Sequence, residues 1–144
     1  MGGGKGAIIK HINNHLVIMA YAENLQIYKD TFKLSKLLLM YSKNISKLIR
    51  YGQYEVMIGK ACTALDLVRR INSSFEDRER NLNEFILCLS EVKSRITLFF
   101  EAQFLSVKAA TNLNYVVDKV LQEGYGWLRA TRNRKGESYR ATAR

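Results

Sequence analysis

The chain has 144 residues, 47% of them hydrophobic, which is enough for one compact domain with a buried core and too few for two. Its 23 basic and 13 acidic residues give a formal net charge of +10, so a polyanion is the leading class of partner, with nucleic acid ahead of acidic protein or membrane. The chain contains no proline, and no apolar stretch approaches the roughly 18 to 20 residues that span a bilayer. Apolar residues that recur at three- and four-residue steps predict an all-α protein.

Residues 1–22 are expected to form an N-terminal extension that is partly disordered. Four of the first six residues are glycine, without the Gly-Lys-Ser/Thr ending of a phosphate-binding loop. Four apolar residues then have the spacing of a short amphipathic helix, namely Ile8, Ile12, Leu16 and Met19. His11 and His15 have the four-residue spacing of a helical zinc site, but no Cys or carboxylate accompanies them, so chance surface histidines are the favoured interpretation.

Residues 23–129 are predicted to form a four-helix bundle with up-down-up-down topology, because four long amphipathic helices are joined by short connections. The first helix runs from about Asn24 to Tyr41, and its inward residues are expected to be Leu25, Tyr28, Phe32, Ser35 and Leu39. The second spans about Gln53 to Asn72, with an expected buried set of Val56, Ala61, Ala64, Leu65, Val68 and Ile71.

The third and fourth helices have the clearest apolar stripes. The third runs from about Glu76 to Phe104 after a capping box at Ser74 and Asp77, with an inward stripe of Leu82, Phe85, Leu89, Val92, Ile96 and Phe99. Ile86, Phe100 and Phe104 widen that stripe, so this helix contacts several neighbours or a second subunit. The fourth runs from an N-cap at Ser106 to Arg129, with one face made of Val107, Ala110, Leu113, Val117, Val120, Leu121, Gly124 and Leu128. Trp127 is expected to be buried at the bundle end or in a subunit contact.

Basic residues are concentrated at three places along the chain. Lys47 and Arg50 lie in the first connection beside two tyrosines. This mixture could neutralise and stack on RNA, or the tyrosines could pack onto a helix end, and the sequence favours neither interpretation. Arg69 and Arg70 end the second helix, where they also oppose the helix dipole. Residues 130–144 are predicted to be a flexible basic tail, since the last sixteen residues of the chain carry six basic residues and one acidic residue.

Residues that could support catalysis are few. The only histidines lie outside the four helices, so a serine or cysteine nucleophile would lack a base, and no Glu-x-x-His pair of a di-iron bundle occurs. Cys62 and Cys88 have no C-x-x-C spacing and are expected to be reduced core residues of a cytoplasmic protein. We therefore predict no catalytic residue, no metal site and no cofactor.

The chain from Tyr28 to Arg129 resembles a group of small four-helix-bundle proteins. The group includes the accessory variability determinant (Avd) of diversity-generating retroelements and the bacterial 23S rRNA intervening-sequence proteins. The resemblance rests on the opening at Tyr28 and Phe32, the connection 47–52 with Arg50, and Arg78 at the head of the third helix. The close of the last helix on Gly126, Trp127 and Leu128 before a basic segment is more similar to Avd than to the rRNA-insert proteins.

This resemblance implies a homopentameric barrel of bundles with a positively charged surface. Such a protein would bind the retroelement's reverse transcriptase and its template RNA, support mutagenic retrohoming and do no chemistry itself. The extension 1–22 is not an expected part of the family. From charge alone we predict phosphate contacts to RNA or DNA by Lys47, Arg50, Arg69, Arg70, Arg129, Arg132, Arg134 and Lys135. Two alternatives remain, a scaffold for an acidic protein partner and an rRNA-insert-type bundle.

Overall fold

The computed structural model describes residues 21–143, with side chains through residue 141. It contains four long helices: α1 (Gln26–Ser42), α2 (Glu55–Ser73), α3 (Arg78–Glu101) and α4 (Val107–Ala143). A 3-10 turn precedes α1 at Ala22–Asn24, and a helical turn, Lys47–Ile49, leads through a kinked segment, Arg50–Tyr54, into α2. The described residues form no strand, which confirms the all-α prediction. The extension before residue 21, with His11 and His15, lies outside the described residues.

Each helix packs antiparallel against the next, and α4 packs against α1 to close the bundle. The Tyr54 hydroxyl, just before α2, donates a hydrogen bond of 2.7 Å to the Leu38 carbonyl near the end of α1. At the opposite end of the same helix pair, Arg69 forms an ion pair of 2.5 Å with Glu23. These contacts show that α1 and α2 are antiparallel. Asn112 near the start of α4 bonds Tyr41 near the end of α1, and Arg132 late in α4 pairs with Glu79 at the start of α3, so the up-down-up-down topology is confirmed.

The apolar stripes of α3 and α4 form most of the core as predicted. All six inward residues expected on α3 are buried, and so are seven of the eight expected on α4; only Val107, in the first turn, is 69% exposed. At Gly124 the two helices approach so closely that an added Cβ would lie 3.1 Å from the Phe85 ring. A side chain at this position would be tighter than an ordinary van der Waals contact, so the Phe85 ring would have to shift by a few tenths of an ångström to admit it.

The predicted inward face of α1 is wrong for two of its five residues, Phe32 and Leu39. Phe32 and Leu39 are each 52% exposed, whereas Ile27, Thr31 and Leu34 face the core. Helix α1 carries two competing stripes, and the buried one contains hydroxyl residues whose hydrogen bonds are satisfied locally. Thr31 donates to the Ile27 carbonyl at 2.6 Å, so burying its hydroxyl leaves no polar atom unpaired.

Helix α2 shows the same kind of register error on a smaller scale. Val56 is 44% exposed and Leu65 is only half-buried, while Met57 and Leu67 fill the core positions instead. The other four residues expected on the inward face are buried, namely Ala61, Ala64, Val68 and Ile71. The correct helix was predicted, and the error concerns two positions of its inward face, Val56 in the first turn and Leu65 near the middle.

The helix caps are defined by specific hydrogen bonds. The Ser106 hydroxyl accepts a bond of 3.1 Å from the Ala109 N–H, which confirms Ser106 as the N-cap of α4. The Ser74 hydroxyl accepts from the Asp77 N–H at 3.4 Å, but the Ser74 N–H donates to the Arg70 carbonyl, so the predicted capping box lacks its reciprocal bond.

Helix α3 ends earlier than predicted, in a Schellman motif. The Phe104 N–H donates to the Phe99 carbonyl at 2.8 Å and the Gln103 N–H to the Phe100 carbonyl at 3.0 Å. Gln103 has φ of 68°, a left-handed conformation that glycine adopts most easily. The rings of Phe99 and Phe104 meet edge to face at 6.4 Å, which supplies the hydrophobic contact typical of this motif.

We expect Gln103→Gly to stabilise the protein by about 1 kcal/mol, because it removes the cost of a side chain in the left-handed region. Urea unfolding followed by circular dichroism measures the change. Gln103→Ala, which keeps a Cβ, is the matched control and should change the free energy of unfolding by less than about 0.5 kcal/mol. A destabilised glycine variant would contradict this account of the turn.

Helix α4 does not end at Arg129 but continues to Ala143, so the predicted tail is helical through that residue. Thr131 is buried beyond the expected helix end, and its hydroxyl donates a hydrogen bond of 2.8 Å to the Trp127 carbonyl. Trp127 itself is half-buried against the core at the bundle end. We call residues 130–143 the α4 extension.

A carboxyl pair lies at the contact between α1 and α4. Asp30 is 6% exposed, accepts a hydrogen bond of 3.1 Å from Gln26 and lies 3.4 Å from the Lys119 ammonium. Although burial opposes it, hydrogen bonding from Glu123, Gln26 and Lys119 lowers the pKa of Asp30. Burial and the adjacent Asp30 carboxylate raise the pKa of Glu123 from 4.5 to about 8. The pair therefore holds one proton near neutral pH.

This proton predicts a pH dependence of stability. The folded protein retains the Glu123 proton between pH 4.5 and about 8, where the unfolded chain loses it, so stability should fall as pH rises across that window. Glu123→Gln supplies a permanent donor to Asp30, and it should remove this slope and be the more stable form at pH 8. Urea midpoints between pH 5 and pH 9 measure it, with Glu84→Gln as an exposed control. An unchanged slope in Glu123→Gln would contradict the assignment.

Candidate nucleic-acid interface

The eight predicted phosphate contacts form two groups at opposite ends of the bundle. Lys47 and Arg50 lie on the connection between α1 and α2. The other six lie near the connection between α2 and α3 or on α4 beside it, namely Arg69, Arg70, Arg129, Arg132, Arg134 and Lys135. Because α2 has 19 residues, about 28 Å of helix separates the groups. We call the end with the larger group the basic end.

The basic end has a strong excess of positive charge. Residues 69–80 and 129–140 together contain nine basic residues and four acidic ones. These two segments are distant in sequence, and α3 and α4 bring them together because the antiparallel packing places the start of α3 beside the later turns of α4. The resulting surface has the charge expected for a polyanion site.

Arg78 joins three elements at this end. Its Nε donates a hydrogen bond of 2.7 Å to the Ile71 carbonyl, and a terminal nitrogen lies 3.4 Å from the Asn72 carbonyl, so the guanidinium binds the C-terminal carbonyls of α2. The same guanidinium lies 5.4 Å from the Phe75 ring centroid and 5.5 Å from that of Trp127. Burial lowers the pKa of Arg78, as does the nearby positive charge of Arg134.

This role of Arg78 was not predicted from the sequence. The sequence contained one signal for it. Arg78 lies in the first turn of α3, where the positive end of the helix dipole repels a cation. A basic residue at such a position needs another partner, and here the partner is the C-terminus of the preceding helix.

The α4 extension is held against the basic end by three of the predicted site residues. Arg132 and Lys135 pair with Glu79 at 2.9 Å and 3.4 Å, and Arg134 lies 4.3 Å above the Phe75 ring. The hydrogen bond from Arg132 lowers the pKa of Glu79, and Lys135 adds to the effect. These residues therefore have an intramolecular role in addition to any contact with a ligand.

The remaining cations of the basic end differ in how they are paired. Arg69 pairs with Glu23, lies 3.3 Å from the Tyr28 hydroxyl and covers the Tyr28 ring at 5.3 Å. Arg70, Arg129 and Arg140 are exposed, and within residues 21–143 no acidic side chain lies within ion-pair distance of them. These three are the cations most available to an external anion.

The opposite end combines fewer charges with exposed apolar side chains. Arg50 lies 5.2 Å from the Tyr51 ring centroid, and Tyr51 is 67% exposed. Tyr54 is fully buried and its hydroxyl bonds the Leu38 carbonyl. Of the two interpretations given for the tyrosines of this connection, Tyr54 fits the one in which the ring packs onto a helix end. Leu48 is 87% exposed beside Lys47. The chain bends at Gly52, whose backbone angles leave the helical region.

The described part of the chain offers little for metal chemistry. Between residues 21 and 143 no group of three or more His, Cys, Asp and Glu side chains is placed to hold a metal ion. Cys62 and Cys88 are half-buried thiols that do not pair with each other, and burial raises the pKa of Cys88. No helix within this range combines the length and the apolar character needed to cross a bilayer.

A scan of family models and a search of curated proteins find no match to this chain. The likeness to the Avd group therefore rests on the helix pattern and motifs given above.

We expect Arg78→Lys to lower the free energy of unfolding by about 1.5 to 3 kcal/mol, because an ammonium cannot bind both carbonyls and stack between two rings at once. Urea unfolding measures this loss. Arg80→Lys is the control, since the Arg80 side chain is 75% exposed, and it should cost less than about 0.5 kcal/mol. Equal effects of the two substitutions would show that Arg78 is not an anchor.

Proposed function

We propose that this protein is a non-enzymatic nucleic-acid-binding accessory protein whose basic end binds the phosphate backbone of RNA. The observation that carries the proposal is the set of exposed arginines at one end of the bundle, Arg70, Arg129 and Arg140, which have no acidic partner within residues 21–143. Cations that already have an intramolecular partner contribute less to external binding. Three free guanidinium groups beside several paired ones favour a polyanion over a single small anion.

The arrangement on α4 supports a linear ligand. At 100° per residue, Arg129, Arg132 and Arg140 fall within one sector of the helix, and they span 11 residues or about 16 Å. A row of this length can contact several successive phosphates of one strand. Such contacts position a nucleic acid without reading its sequence, so both RNA and DNA fit the chemistry of this surface.

The retroelement setting comes from the resemblance alone. On that basis we propose a reverse transcriptase as the protein partner, template RNA as the nucleic acid, and a homopentamer as the assembly that supports mutagenic retrohoming. Exposed apolar residues on α1 are compatible with contacts between subunits, since Phe32, Leu39 and Met40 each leave about half of their surface uncovered.

A protein-interaction scaffold is the second candidate. The observation that favours it is the end opposite the basic end, where Leu48, Tyr51 and Val107 are all at least 67% exposed. Apolar side chains exposed to this degree suit a protein partner better than a phosphate backbone. Both functions can coexist, because the two surfaces are at different ends of the bundle.

RNA binding should depend steeply on salt and on the free arginines. Each phosphate neutralised adds about 0.7 to 0.9 to the slope of log affinity against log salt, so the triple variant Arg70→Gln, Arg129→Gln, Arg140→Gln should lower that slope by about 2 to 3. Fluorescence anisotropy with a labelled structured RNA at several salt concentrations measures it.

The control variant removes the same number of charges from another surface. Lys29, Lys33 and Lys36 are exposed on the outer side of α1, and their triple glutamine variant should bind RNA with a slope close to that of the native protein. Equal losses in both variants would mean that net charge, and not the basic end, determines binding. A native slope below about 2 would contradict an extended phosphate footprint and favour the scaffold.

A further inference from the structure

A groove lies between the α2–α3 connection and the α4 extension. Its volume is about 550 Å³, within the range of about 300 to 1,000 Å³ found for small-ligand sites. The lining residues are Phe75, Glu76, Lys135, Ser138 and Tyr139. The groove therefore combines two aromatic rings with polar groups that can bond the edge of a planar ligand.

Tyr139 is the aromatic ring of this groove that is open to a ligand. It is 77% exposed, and within the described residues no ring and no guanidinium lies against it. Phe75 is different, because Arg134 covers its ring at 4.3 Å and Arg78 approaches at 5.4 Å. An incoming planar group can thus stack on Tyr139 while Phe75 forms a wall of the groove.

The charges in the groove favour a base over a phosphate. Glu76 lines it and would repel a phosphate, but its carboxylate can accept hydrogen bonds from the N–H groups of a base. Lys135 is paired with Glu79. The unpaired Arg140 is the next residue after Tyr139, so a backbone phosphate can be bound just outside the groove.

From this combination we infer that the groove binds an unpaired base of single-stranded RNA, stacked on Tyr139, with the adjoining phosphate at Arg140. The inference rests on the proposed function, and it adds that the basic end selects single strands. A paired base cannot enter, because its two faces are already stacked within a duplex. Stacking on a tyrosine tolerates every base, so little sequence preference is expected.

The test compares single-stranded and duplex RNA of the same length at one salt concentration. Tyr139→Ala should weaken binding of the single strand by about 5- to 150-fold, the range seen when a stacking aromatic is removed. It should leave duplex binding unchanged, and Tyr139→Phe should retain affinity for both. Tyr115→Ala is the control, because Tyr115 is 71% exposed on α4 within the bundle and outside the groove. A single strand containing 2-aminopurine reports stacking directly through the quenching of its fluorescence.

The outcomes separate this inference from the proposed function. Salt-dependent binding that Tyr139→Ala does not weaken, or equal affinity for single strands and duplexes, would overturn the inference that the groove binds a base. The proposed binding of phosphates at the basic end would be unaffected. Absence of binding to either RNA would overturn the proposed function and the inference with it. Quenching of 2-aminopurine by the native protein and by Tyr139→Phe, but not by Tyr139→Ala, would support stacking of a base on the ring at position 139.

Discussion

The basic end is organised by one guanidinium. Arg78 satisfies the last carbonyls of α2 and lies against Phe75 and Trp127, so it connects the end of one helix, the following turn and α4. Arg134 of the α4 extension lies 4.3 Å from the same Phe75 ring, so Arg78 and the extension contact a common aromatic side chain. The charge at this site therefore has a packing role.

The arginines of this end are divided between two tasks, and their number alone overstates the charge available to a partner. Some hold the fold together through Glu23, Glu79 or an aromatic ring, while Arg70, Arg129 and Arg140 point to solvent without such partners. Exposed ion pairs contribute little stability individually. At this end, however, a carboxylate shared by Arg132 and Lys135 acts together with a cation–π contact, and the combination keeps α4 helical beyond the bundle.

The fold was predictable where the sequence offered a single interpretation. Helices α3 and α4 each have one main apolar stripe, which is buried except for Val107 in the first turn of α4; of the residues that widen the α3 stripe, Ile86 is buried and Phe100 and Phe104 are 40% exposed. Helix α1 has two, and local bonding of the Thr31 hydroxyl, which a hydrophobicity pattern does not show, allows the less apolar stripe to face the core. The end of α4 was missed because a dense charge run resembles a tail. The pairs that keep it helical join residues more than 50 positions apart, from Glu79 to Arg132 and Lys135, and no local pattern reveals them.

The helical state of residues 130–143 has a consequence for the energetics of association. A segment that is irregular when free must lose about 1 to 2 kcal/mol of backbone conformational entropy per residue when a ligand orders it. In this protein residues 130–143 are already helical, so the backbone-ordering part of the cost of binding is reduced, while the loss of translational freedom and the immobilisation of side chains remain. A helical extension also fixes the spacing of its cations: Arg132 and Arg140 are eight residues apart, or about 12 Å along the helix axis.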